Sequence, residues 1–205
     1  MIGVVRACPL FTKMVDSFAP ISAGTASALK SVGIGAVGRY LQNLTAPEVE
    51  GLFAAGLGIL PLSEAPNAPL GANFGRAYAT TLLQYASALG VPRGTHLMID
   101  LEAQHGDRVD IIAYNNALSA DLELTYIPLV YVGAGQPLSG ADLYALPSVH
   151  LYWRGGSLGM AEPNCGFAIW QIPPLEQTIV GGAVMDMSMT GADLRGRQPM
   201  LWYPN

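Results

Sequence analysis

His96-Leu97-Met98-Ile99-Asp100-Leu101-Glu102 is an apolar run of strand length that ends in two acids. What flanks it decides the fold. Upstream, Phe74, Tyr78, Leu82, Tyr85 and Leu89 recur at helical spacing, which predicts a helix from about Asn73 with those side chains on its buried face. Gly90 and Pro92 close it. Downstream, Asp107 opens a second helical pattern through Ile111, Tyr114 and Leu118. A strand held between two helices is the unit of a parallel α/β sheet.

The same rhythm extends in both directions. Strands are predicted at 13–19, 34–41, 57–62, 96–102 and 125–132, with helices at 23–32, from Thr45, from Asn73, from Asp107 and at 139–145. Thr45, Pro47 and Glu48 form the strongest helix start. Thr45 can cap, Pro47 loses nothing in the first turn, and Glu48 can reach back in a capping box. Gly56 ends that helix. Beyond 145 the helical period disappears, and 149–153, 167–172 and 183–187 read as further strands. Eight strands with helices after only the first five predict an α/β protein: an irregular TIM-type (β/α) barrel whose last three strands are helix-poor. Its site belongs at the strands' C-terminal ends. No repeat or linker divides the chain, so 1–205 is expected to be one domain.

Composition excludes several classes. Half the residues are hydrophobic (51%) and only 12% are charged, which argues against disorder. A net charge of −5 and ten dispersed basic residues leave no footprint for nucleic acid. The most apolar stretch, 51–62, is too short to span a bilayer and is interrupted by glycines. The first eleven residues lack an h-region and a cleavage site, so no signal peptide is expected. Action outside the cytoplasm would then need lysis or carriage by another assembly. Cys8 and Cys165 are too few for a disulfide framework. Two buried thiols are the simpler expectation, one bridge the alternative.

The acids carry the chemistry. Side chains alternate across a strand, so Asp100 and Glu102 share a face, with Cα atoms about 6.5–7 Å apart. In a partly apolar mouth they repel each other and lose water, so one pKa should rise, giving an acid and a base. Glycoside hydrolysis uses such a pair. Alone, an Asp-x-Glu triplet is as readily a helix cap or the partner of an arginine. The other strand ends add weight. They offer Asp16; Arg39 and Tyr40; Glu64; Tyr131; Trp153; Trp170 and Gln171; and Asp186. Aromatic faces stack on sugar rings and acids bind hydroxyls, so a glycan is the expected partner. His105 near Asp100 and Glu102 has no diagnostic ligand spacing, so neither metal nor cofactor is expected. His96 and His150, near strand starts, are expected to be structural. Gly133-Ala134-Gly135 lacks the basic partner of a phosphate cradle.

From about 14 to 189 the chain resembles the bacterial glycoside-hydrolase-like domain, a relative of the family 25 lysozymes. Val15-Asp16-Ser17-Phe18, Val37-Gly38-Arg39-Tyr40-Leu41, Gly56-Leu57-Gly58-Ile59-Leu60-Pro61-Leu62 and Ile99-Asp100-Leu101-Glu102 carry the resemblance. Ala168-Ile169-Trp170-Gln171 and Val184-Met185-Asp186-Met187 complete it. The resemblance implies Glu102 as general acid and Asp100 as its partner, either as nucleophile or steadying a substrate acetamido group. It also implies Asp16 and Asp186 as further acids, and peptidoglycan as the polymer cut. Ser17-Phe18 departs from the lysozyme pattern. The rival expectation is a non-catalytic glycan-binding or structural module that kept the barrel. An open groove exposing Asp100 and Glu102 would favour catalysis; a mouth plugged by Tyr131 or Trp153 would favour the module.

Overall fold

The computed structural model describes residues 3–64, 70–102, 106–157, 159–172, 177–180 and 183–205. Eight of its strands close a barrel. They are β2 (Lys13–Ser17), β3 (Ile34–Tyr40), β4 (Gly58–Leu62), β5 (His96–Leu101), β6 (Ile127–Val132), β7 (Leu151–Arg154), β8 (Ile169–Gln171) and β10 (Ala183–Thr190). Five helices follow β2 to β6 in turn: α1 (Ala23–Ser31), α2 (Ala46–Ala54), α3 (Ala72–Leu89), α4 (Arg108–Glu123) and α5 (Gly140–Tyr144). The last three barrel strands have no helix among the described residues, as the lost helical period implies. One expectation fails: the barrel is mixed. β10 runs antiparallel to both β2 and β8, and β9 pairs antiparallel with it just before.

Three further strands escape the sequence pattern. β1 (Val4–Ala7) pairs with β11 (Met200–Tyr203), and β9 (Gln177–Val180) forms a hairpin with β10. β11 repairs a weak seam. Among the described residues β4 and β5 share only the Leu62–Met98 pairing. Above it, Ser63 N–H donates to the Met98 carbonyl (2.8 Å), and Ser63 Oγ accepts from Asp100 N–H (3.1 Å). Below it, Trp202 pairs with Ile59, and Met200 N–H donates to His96 Nδ1 (2.7 Å). Burial pulls the His96 pKa down to about 3, so the ring is neutral and can accept that bond. His96 is thus structural, as expected, and His150 pairs with Glu123 (2.8 Å).

Alternation sorts each strand into two cores. Met14, Ala36, Leu60, Met98, Leu129, Leu151 and Ile169 fill the barrel. Val15, Val37, Ile59, Ile99, Val130 and Tyr152 face outward onto Leu29, Leu52, Leu82 and Leu118 of the helices. The helix starts are capped: Asp107, the expected start of α4, accepts from Asp110 N–H, and Ser139 with Asp142 makes a full capping box. α2 is only half as expected. Thr45 accepts from Glu48 N–H, but the Glu48 carboxylate turns away to other partners. The buried stripe of α3 is also rotated. Gly75, Ala79, Leu82 and Ala86 face inward while Tyr85 is exposed. A Cβ on Gly75 would lie 2.4 Å from the Tyr114 carbonyl oxygen, so backbone contact with α4 selects the small residues. Cys8 and Cys165 are both buried and free. No helix among the described residues is long and apolar enough to cross a membrane.

Candidate active site

Inward-facing residues toward the C-terminal ends of the parallel strands, together with Asp186 of the antiparallel β10, converge on one pit. It is lined by Asp16, Tyr40, Leu62, Met98, Asp100, Glu102, Tyr131, Trp153, Gln171 and Asp186. Each comes from a different strand or from the same face of one. Asp16 and Asp186 are directly opposed on β2 and β10, which brings two carboxylates together across one antiparallel pair. Asp100 and Glu102 share a face of β5, as alternation requires, and Asp100 Oδ1 accepts from Glu102 N–H (2.9 Å). Leu62 and Met98, which pair β4 with β5, add apolar side chains to the pit lining.

Their environments separate the acids. Burial raises the Asp16 pKa to about 8, with Asp186, Asp100 and Glu102 adding repulsion. Among the described residues Asp16 Oδ2 finds no hydrogen-bond partner. Burial also raises Asp100, to about 7. Glu102 and Glu64 push it further, and the Glu102 N–H draws it back. Glu102 stands at the exposed rim, and its pKa is raised by partial burial and then by Asp186. At neutral pH the cluster therefore holds protons that isolated carboxylates would release. Among the described residues no group of three or more acids, histidines or cysteines is arranged to hold a metal ion. His105 lies outside the described residues.

The aromatic wall is tied down. Tyr131 and Trp153 meet edge to face, with centroids 5.3 Å apart. Tyr131 Oη donates to Gln171 Oε1 (2.7 Å), which also accepts from Gly156 N–H (3.1 Å). Glu64 lies on the rim outside the pit lining, where its carboxylate accepts from Gln42 Nε2 (2.9 Å).

Two expected sugar contacts face the other way. Arg39 follows Gly38 and precedes Tyr40 on β3, so it must oppose both. Its fully buried guanidinium lies outside the barrel wall, paired with Glu48 of α2 (Nε to Oε1 2.6 Å, Nη2 to Oε2 3.3 Å). Trp170 precedes Gln171 and packs against the outer core, its ring over Gly191.

Glycines missed by the sequence reading shape the pit. Gly133 continues the inward face of Tyr131. A Cβ there would lie 2.6 Å from Glu102 Cβ, 2.8 Å from its Cγ and 2.9 Å from Tyr131 Cε1. A Cβ on Gly155 would sit 2.9 Å from Tyr131 Oη, and one on Gly38 would sit 3.0 Å from Asp16 Cβ. Extending the β6 alternation by two residues would have found Gly133. Nothing local announces the other two.

A βα-type barrel of this form, with acids and aromatics gathered at one end, defines a glycoside-hydrolase-like protein. The chain belongs to the Rv2525c-like, glycoside hydrolase-like domain family, whose sequence profile matches residues 27–172. It is similar in structure to the Tat-secreted protein Rv2525c of Mycobacterium tuberculosis, solved with L-tartrate. That match has TM-score 0.68 and 16% identity, covering 88% of this chain and 95% of that one. A bacterial lysozyme from Streptomyces coelicolor matches with TM-score 0.59 and 14% identity over 89% of this chain and 93% of the other. The modular autolysin LytC of Streptococcus pneumoniae, solved with a synthetic peptidoglycan ligand, matches with TM-score 0.61 and 12% identity. There 87% of this chain covers 46% of LytC. No curated protein sequence matches the chain.

Proposed function

We propose that this protein hydrolyses the glycan of peptidoglycan or a related amino-sugar polymer by carboxylate acid–base catalysis. The convergence of Asp16, Asp100, Glu102 and Asp186 in one pit carries the reading. Glu102 serves as the general acid. Its exposed position lets it meet a polymer, and partial burial and then Asp186 shift its pKa upward, the direction a general acid needs. Asp100, beneath it, supplies negative charge opposite the anomeric carbon. It acts as nucleophile or steadies an acetamido oxygen that attacks instead. Positive charge developing there favours its ionised form, which burial otherwise disfavours. Asp16, protonated through neutral pH, presents Oδ2 to a substrate hydroxyl or carbonyl.

One observation favours the second reading, a non-catalytic glycan-binding module. The pit measures about 60 Å³. That is room for about two waters, well below the roughly 300–1,000 Å³ of small-molecule sites. In the catalytic reading a sugar therefore lies across the mouth and only the reacting atoms enter. The catalytic reading expects both Asp100 and Glu102 to be exposed; Glu102 is, whereas Asp100 is buried, and Tyr131 and Trp153 line the pit with it. Release of reducing ends from purified peptidoglycan, wild type against Glu102→Gln, tests the choice. Turnover by the wild type that vanishes in the variant supports catalysis. Absence of turnover in both, across pH 4–9, with retained binding to the glycan assigns the module.

A further inference from the structure

We propose that Phe18 is a stacking platform for one sugar ring of the bound glycan, a subsite beside the acid pit; this rests on the glycan reading above. Phe18 is 57% exposed, in a segment just beyond the C-terminal end of β2 where Ala19 and Pro20 are exposed too. A bare ring in a loose loop would mean little. This loop is not loose.

Both of its ends are fastened to the buried Arg39–Glu48 pair. Arg39 Nη1 donates to the Ser17 carbonyl on one side, and Ile21 N–H donates to Glu48 Oε1 (2.8 Å) on the other. Ser17 Oγ donates to the Ala19 carbonyl (3.0 Å), closing the turn between them. Tyr40 of the pit wall props the ring itself, with centroids 5.5 Å apart and planes at 57°. Arg39 therefore acts at a distance: it fixes the strand exit that carries Phe18.

A buried ion pair spent on holding an exposed phenyl ring is a pre-organised contact, which loses little freedom when a ligand arrives. The chemistry of the ring selects the ligand. Phenylalanine has no polar atom to meet hydroxyls, so it takes the C–H face of a pyranose and leaves the sugar's edge to water. Ala19 and Pro20 are exposed beside Phe18 in its own segment, and exposed Val184 and Ile179 of the β9–β10 pair lie along the neighbouring strand edge. What singles out Phe18 for a sugar is its place: its propping ring Tyr40 lines the acid pit. One ring next to a row of acids fits a chain of sugars crossing from platform to pit.

The test is calorimetric binding of a soluble β-1,4-linked N-acetylglucosamine tetramer, together with co-sedimentation with peptidoglycan. Wild type is compared with Phe18→Ala, Phe18→Leu and Phe18→Trp. As an exposed side chain, Phe18 can be replaced without unfolding the protein, and circular dichroism verifies this. Phe18→Ala and Phe18→Leu should bind about fivefold more weakly, and Phe18→Trp at least as tightly as wild type. Wild-type affinity in Phe18→Ala, or full affinity in Phe18→Leu, overturns the platform and leaves the catalytic reading standing. A wild type that binds but never cleaves overturns catalysis alone. A wild type that binds neither glycan overturns both.

Discussion

Gly133→Ala is the sharpest test of how the acid is held. Gly133 has no left-handed backbone angle, so nothing in its own conformation asks for glycine. What asks for it is Glu102. The added methyl would sit 2.6 Å from Glu102 Cβ, where ordinary contact begins at 3.4 Å. The stem of Glu102 must therefore retreat by roughly 0.8 Å, because a Cβ cannot swing aside as a carboxylate tip can. Misplacing a reacting group by about 1 Å can cost roughly a hundredfold in rate. We expect kcat for glycan cleavage to fall by that order. KM should change little, because the exposed sugar contacts lie away from the ledge. Burial helps raise the Glu102 pKa, so a carboxyl pushed outward should titrate lower. Steady-state kinetics and carbon-13 NMR titration of the glutamate carboxyls measure both, and the titration needs no turnover. A folded variant with wild-type kcat and an unmoved Glu102 midpoint would refute the reasoning.

Other consequences follow from the same geometry. Arg39→Met should lower stability by roughly 3–5 kcal/mol, because it strands Glu48 as a buried charge. The melting temperature should drop on the order of 10 °C. A drop of under 2 °C would show that Glu48 finds other solvation. Asp16 and Asp100 hold protons in the folded state up to about pH 8 and 7, whereas an unfolded aspartate releases them near pH 4. The folded state binds the extra protons across that interval, so stability should fall as pH rises from about 4 to 8. Asp16→Asn should flatten that slope and raise the melting temperature at pH 9. A slope unchanged in the variant would mean that Asp16 titrates normally. Gln171→Leu removes the acceptor shared by the half-buried Tyr131 Oη and the buried Gly156 N–H, at a cost of up to about 3 kcal/mol for each donor left unpaired. Thermal unfolding measures the loss, and a variant as stable as wild type would show that water replaces the amide.

Much of the frame was legible because its signals are local. The 3.6 period and Asp107 mark α4 and its start, and apolar runs between the helices mark the barrel strands. The three strands that escaped, β1, β9 and β11, draw their identity from partners far away in the chain, and β11 exists to fill a seam that no local pattern reveals. The antiparallel sense of β10 is likewise a matter of what it pairs with.

The site divides in the same way. Sequence alone determined that Asp100 and Glu102 share a face, because alternation along a strand is set by the pleat. It equally required that Arg39 oppose Tyr40 and that Trp170 oppose Gln171. Which member of each pair looks into the barrel depends on which face the helices cover, and only the tertiary structure decided that. It sent Arg39 outward to Glu48 and Trp170 outward over Gly191. The same holds for Gly133. Its missing side chain matters only because folding lays Glu102, just past the end of β5, across it; alternation along β6 tells which way Gly133 faces, but not that a side chain thirty-one positions away meets it there.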